Sequence, residues 1–173
     1  MNPQQPSPPE ATEPPTARRR DAAEQARLDA ALVELFEHRI VFNQVLGLKV
    51  HSLQPERVQL RFDMKPELVG HSLYGRLHGG VTASVLDALG GLTLMVAIAE
   101  RFPQDNTLQV MQRFSKMGTI DLRVDFLRQG LGQHFIATGE VTRLGSRIGS
   151  ALMRLVNDEG TLIATAAAVY AVA

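Results

Sequence analysis

The chain has 173 residues, enough for one domain with a single core, and its 45% apolar and 21% charged content is that of a globular protein. A formal net charge of zero excludes a global field that would draw it to nucleic acid or an anionic membrane, so any cationic site must be local. There is no cysteine, which excludes disulfides, a thiol nucleophile and cysteine-ligated metal, and fits a reducing cytoplasm.

Residues 1–20 hold six of the nine prolines and almost nothing large and apolar, so they read as a disordered, Pro-rich tail. The segment lacks the apolar stretch of a secretory signal, and Arg18, Arg19 and Arg20 read as a solvated charge run. The folded domain is therefore expected over 21–173. From Asp21 to Val45, Leu28, Ala31, Leu32, Leu35, Phe36 and Ile40 recur at three- and four-residue spacing, an amphipathic helix. A strand over 46–54 follows. In RVQLRFDM (57–64) the period is two, with Val58, Leu60, Phe62 and Met64 on one face.

The run from Gly79 to Ala99 is apolar nearly all round, the mark of a membrane span or of a helix wrapped by protein. Asp87 near its middle makes a span costly, and the amphipathic strands need an apolar object to cover, so no membrane span is expected. Beyond it, residues 119–128 alternate Ile120, Leu122, Val124 and Phe126 against Asp121, Arg123 and Asp125. Strands over 133–144 and 147–156, a turn at Asn157-Asp158-Glu159-Gly160 and a last strand over 161–172 complete the chain. The fold class is α+β: an antiparallel sheet of about six strands wrapped around a long central helix, with an extra N-terminal helix.

Two features of the central helix bear on function. Gly79 and Gly80 stand at its start, where unpaired amides and the positive dipole end let a ligand oxygen approach closely. They form a potential oxyanion hole, or simply a tight turn into the helix. Asp87 is either a general base or nucleophile, or a carboxylate held by an arginine or a backbone amide. On one helix His78 and Asp87 would lie ~13 Å apart along the axis and on roughly opposite faces. They could serve one reacting group only if antiparallel helices of two subunits met, which points to a dimer with sites at its interface. The five histidines, His38, His51, His71, His78 and His134, have no paired ligand spacing, so neither metal nor cofactor is expected. No basic stripe or aromatic platform supports nucleic-acid binding.

With L-H-G-G-V-x-A-x-x-x-D in the helix and G-T-I-D-L-R-V-D-F-L-R after it, the chain resembles the hotdog-fold acyl-CoA thioesterases of the PaaI-like group, nearest to its YigI-like branch. The likeness spans about residues 25–172. The resemblance implies hydrolysis of acyl-CoA thioesters by a homo-oligomer, dimer or tetramer. It implies that Gly79, with Gly80 nearby, polarises the thioester oxygen, while Asp87 of the partner subunit activates water or attacks. Thr119 would help to position the water, and His78 would shape the start of the helix. Where many relatives carry asparagine, this chain has His71 or Ser72, either of which can hydrogen-bond to substrate. Arg128, Arg143 and Arg147, at strand ends, are expected to meet CoA phosphates, and Phe42, Leu46, Leu89 and Leu92 to line the acyl chain. The alternatives are a non-catalytic acyl-CoA binding or sensing protein on the same fold, and a hydratase needing a histidine–carboxylate pair in one site.

Overall fold

The computed structural model describes residues 19–173, so the expected tail lies outside it except for its last two residues. Helix α1 (Ala22–Glu34) opens at Asp21, whose carboxylate accepts from the Glu24 amide at 2.8 Å. The single helix expected to Val45 is interrupted. A π-helical turn, Leu35–Arg39, precedes α2 (Val41–Leu46), which ends at Gly47 with φ 74°. The wider turn has a structural consequence: Glu37 reaches the next strand, accepting from the Val50 amide and from Lys49 Nζ, both at 2.8 Å. Burial pushes the Glu37 carboxyl up, but the Lys49 ammonium and the Val50 amide outweigh it and hold the group below the usual carboxylate range.

Strands β1 (Lys49–Gln54) and β2 (Arg57–Asp63) form a hairpin, followed by a small pair, β3 (Val69–His71) and β4 (Arg76–Leu77). The central helix α3 (Gly79–Arg101) leads to a short helix, α4 (Thr107–Phe114), and then to β5 (Gly118–Phe126), β6 (His134–Leu144), β7 (Ile148–Asn157) and β8 (Leu162–Ala171). Neither β3–β4 nor α4 is among the elements expected from sequence. The six long strands make one antiparallel sheet in the order β1-β2-β6-β7-β8-β5.

This sheet wraps α3, and the arrangement is the hotdog fold. Leu86, Leu89, Leu92 and Leu94 are fully buried against it, each worth about 1.5–3 kcal/mol of transfer from water. At Gly139 the β6 backbone comes so near α3 that an added Cβ would run into Thr93. By length and composition α3 could cross a membrane; here just over half of its most apolar 18-residue stretch is buried inside the fold. Its less covered side carries Ser84, Asp87, Ala88, Gly91 and Met95.

Arg20 does not behave as part of a solvated run. Its side chain is 4% exposed and donates to the carbonyls of Ala99, Phe102 and Asp105 at 2.7, 2.8 and 3.2 Å. The last turn of an α-helix leaves carbonyls without intrahelical partners, and a guanidinium is well suited to closing it. The two sheet edges also differ. Glu37 takes up a β1 amide, whereas the outer edge of β5 has no strand partner among the described residues.

Candidate functional site

His78 is the N-cap of α3, and its Nδ1 accepts from the Gly80 amide at 2.9 Å. The carbonyl of His78 takes the amides of Val81 and Thr82 at 3.0 and 3.2 Å. This leaves the Gly79 amide with no acceptor among the described residues. The pair of glycines is therefore not equivalent: Gly80's donor is used within the cap, and Gly79's is free at the positive end of the helix. Gly79 lines a cleft of about 500 Å³ with Gly70, Arg76, Thr82, Phe126 and Arg128.

Eight residues further on, ~12 Å along the axis, Asp87 is half-buried. No arginine or lysine pairs with it among the described residues. Its Oδ1 accepts instead from two hydroxyls, Thr119 Oγ1 at 2.8 Å and Tyr170 OH at 3.2 Å. Tyr170 OH also reaches the Asp87 main-chain carbonyl at 2.8 Å. Burial, and behind it the Asp87 carboxylate, push the Tyr170 phenol above its ordinary range, so it remains a donor. Oδ2 has no protein partner among the described residues, and it is not buried. A carboxylate is tolerated in this apolar helix because one oxygen is hydrogen-bonded and the other is not sealed from solvent.

A β-bulge brings Thr119 to this position. Thr119 pairs with Tyr170 and Asp121 with Val169, so Ile120 is the extra residue and is 58% exposed. Strict alternation would turn Ile120 inward and Thr119 outward; the bulge reverses that at the one point where a hydroxyl meets Asp87.

The remaining residues separate. Arg128 lines the Gly79 cleft, with Nη1 bound to the Leu162 carbonyl at 3.1 Å. Arg143 and Arg147 flank the β6–β7 turn, whose carbonyls at Leu144 and Gly145 bind Arg101 at 3.3 and 2.8 Å. That turn is at the far end of α3, ~30 Å from Gly79 of the same chain. Strand ends were legible from sequence, but not which end of the helix each would meet. His71 is half-buried against Tyr74, with ring centroids 4.8 Å apart, and its Nδ1 is buried without a partner. Ser72 is exposed on the β3–β4 turn; neither residue lines the cleft. Leu46, Leu89 and Leu92 belong to the buried core, whereas Phe42 is exposed. Tyr170 and Arg76 were not expected. Arg76 lines the cleft with its guanidinium 5.9 Å from the Tyr74 ring centroid.

Comparison with known proteins agrees with this architecture. A family model described as the Thioesterase superfamily matches residues 74–164. The chain is 40% identical over 139 residues to the medium/long-chain acyl-CoA thioesterase YigI of Escherichia coli K12, covering 80% of this chain and 90% of that one. A crystal structure of a Shewanella oneidensis protein related to the thioesterase superfamily superposes with a TM-score of 0.81 at 40% identity, covering 86% of this chain and 97% of that one. Mouse thioesterase superfamily member 2, at 20% identity and a TM-score of 0.65, covers 89% and 100% of the two chains and shares the fold.

Proposed function

The chain belongs to the thioesterase superfamily, and from that premise we propose that it hydrolyses medium- or long-chain acyl-CoA, with Gly79 of one subunit and Asp87 of a second acting on one thioester. The identity with the E. coli enzyme supports the substrate class. The observation that carries the shared site is the course of β5. Its start is tied to Asp87 through Thr119, and its end lies over Gly79, where an added Cβ would sit 3.4 Å from the Phe126 ring. The outer edge of the strand is open among the described residues.

An antiparallel two-fold pairing of β5 with its copy, centred between Leu122 and Arg123, sets Thr119 opposite the partner's Phe126. Strands pair ~4.8 Å apart, so Asp87 then faces the partner's Gly79 instead of its own, ~12 Å away. The half-covered stripe of α3 through Ser84, Asp87, Gly91 and Met95 would meet its copy in the same dimer. As the stripe is covered by the partner, α3 is read as a core helix and not as a membrane span.

The chemistry follows from the atoms left free. The thioester oxygen accepts from the Gly79 amide, where the helix dipole favours the charge that develops on it. Oδ2 of Asp87 takes a proton from water, which attacks the carbonyl carbon; Thr119 Oγ1, its hydrogen committed to Oδ1, accepts the second hydrogen of that water. Collapse of the tetrahedral intermediate breaks the C–S bond, and the leaving CoA thiolate takes the proton held on Oδ2 of Asp87, which regenerates the base. Arg128 and Arg76 are the local cations for CoA phosphates on a chain of zero net charge.

Asp87→Asn tests this reading. Asparagine keeps the size but takes no proton, so kcat should fall by ~10²–10⁴-fold with acyl-CoA binding retained. Release of free thiol from acyl-CoAs of graded length supplies the assay and the chain-length preference. Wild-type protein that binds acyl-CoA and releases no thiol would instead identify a binding or sensing protein.

A further inference from the structure

Both donors to Asp87 come from one register position. Thr119 of β5 and Tyr170 of β8 are directly paired across the sheet, so their side chains rise from the same spot toward α3. Tyr170 is 3% exposed, and its hydroxyl would be costly to bury unpaired; it is satisfied by Asp87 alone among the described residues. The ring reaches that far only because of Gly90. An added Cβ there would run into the hydroxyl and stand 2.9 Å from Cζ and 3.0 Å from Cε2. Gly90 is three residues after Asp87 and therefore on the same side of the helix. A glycine inside a helix costs about 0.5–1 kcal/mol relative to alanine, and here it leaves the room that an aromatic ring occupies.

We propose that Tyr170, seated on Gly90, is a positioning residue that together with Thr119 fixes Oδ1 of Asp87 and so makes Oδ2 the oxygen that receives the proton. The proposal rests on the reading of Asp87 as the general base. The hydroxyl bridges the Asp87 main-chain carbonyl and the carboxylate, so it ties the side chain to its own backbone and limits rotation about χ1 and χ2. Two hydroxyls at one oxygen hold the carboxylate in plane, while Oδ2 keeps its lone pairs for water. Thr119 alone would leave the group free to pivot about a single hydrogen bond.

Tyr170→Phe removes the hydroxyl and keeps the buried ring. Loss of a hydrogen bond to a charged group corresponds to roughly a 10-fold or greater effect, so kcat should fall at least ~10-fold with KM nearly unchanged. A carboxylate free to pivot still leaves the substrate contacts in place, so the loss should fall on kcat and not on KM, a split that a general loss of folding would not give. Gly90→Ala, which pushes the ring off the helix, should lower kcat in the same way. If Gly90→Ala does not fold, the phenylalanine variant carries the test by itself, with its melting curve as the check on folding. A Tyr170→Phe protein with wild-type kcat overturns the proposal, whatever its melting temperature. Asp87→Asn, assayed in parallel, distinguishes the two failures. Loss of activity there with an unaltered kcat in Tyr170→Phe removes only the positioning role, whereas full activity in Asp87→Asn removes the general base and the proposal with it.

Discussion

Replacing Gly79 with proline deletes one N–H and puts the ring Cδ in its place, with the rest of the helix start kept. Gly79 is the first residue of α3, where proline's fixed φ is already suited to the helix and the missing donor breaks no intrahelical bond. The residue before a proline must be extended, and His78 already is, at φ −67° and ψ 137°. The cap survives, because Gly80 still donates to His78 Nδ1 and Val81 and Thr82 still donate to the His78 carbonyl. The added Cβ meets the Phe126 ring at 3.4 Å, ordinary contact. What disappears is the amide proposed to hold the thioester oxygen. Removal of one such donor costs ~10²–10³ in kcat, roughly 2.7–4 kcal/mol of transition-state stabilisation. The melting temperature should hold or rise, since proline at a compatible site restricts the unfolded chain. Steady-state release of thiol from an acyl-CoA, with thermal melts of the same preparation, measures both quantities. A Gly79→Pro protein with kcat within about two-fold of wild type would show that this amide is not the oxyanion donor, and the mechanism would fail there.

Other consequences are open to direct measurement. Arg128→Ala should raise KM for acyl-CoA several-fold, more at low salt, and leave a thioester without the nucleotide untouched; equal losses on both would mark a structural role. Arg20→Ala strips a charged donor from three carbonyls at the end of α3 and should cost about 2 kcal/mol, or roughly 4–8 °C in melting temperature, with kcat of the folded protein unchanged. The Glu37 carboxyl is held below its unfolded value, so its contribution is complete above the ordinary carboxylate range and is lost as pH falls through the folded value. Glu37→Gln should therefore flatten part of the fall in melting temperature between neutral and acid pH; an unchanged slope would discount the Lys49–Glu37–Val50 contacts.

The long elements of this fold are legible because their periodicity is long. Ten-residue strands that alternate and a 23-residue apolar helix leave little choice of face. The β3–β4 pair has three and two residues, too few for a period to register. Helix α4 did carry a readable signal, an asparagine at 106 and a glutamine three residues on, which form a reciprocal capping box. The break after Glu34 leaves no mark, since a π-helical turn keeps the same apolar residues inward. At the site, Asp87, His78 and Gly79 stand out by chemistry within one helix. Tyr170 does not: it is 83 residues from Asp87 in an alanine-rich strand whose register with β5 depends on a bulge. Likewise nothing in a strand's pattern tells which end of α3 it will meet, which is why Arg128 is at the cleft and Arg143 and Arg147 are not.

The central claim, that each site takes Gly79 from one subunit and Asp87 from another, can be tested by mixing two inactive proteins. Gly79→Pro and Asp87→Asn chains, dissociated together and reassociated in equal amounts, give hybrids in about half of the dimers by random pairing. In each hybrid one site joins the intact Gly79 of the Asp87→Asn chain to the intact Asp87 of the Gly79→Pro chain, and the other site carries both defects. The shared-site account predicts that thiol release from acyl-CoA recovers to roughly one quarter of the wild-type rate per subunit, while either protein treated alone stays inactive. A mixture that forms hybrids by mass and shows no recovery would mean that each chain uses its own Gly79 and Asp87, and the account would be contradicted.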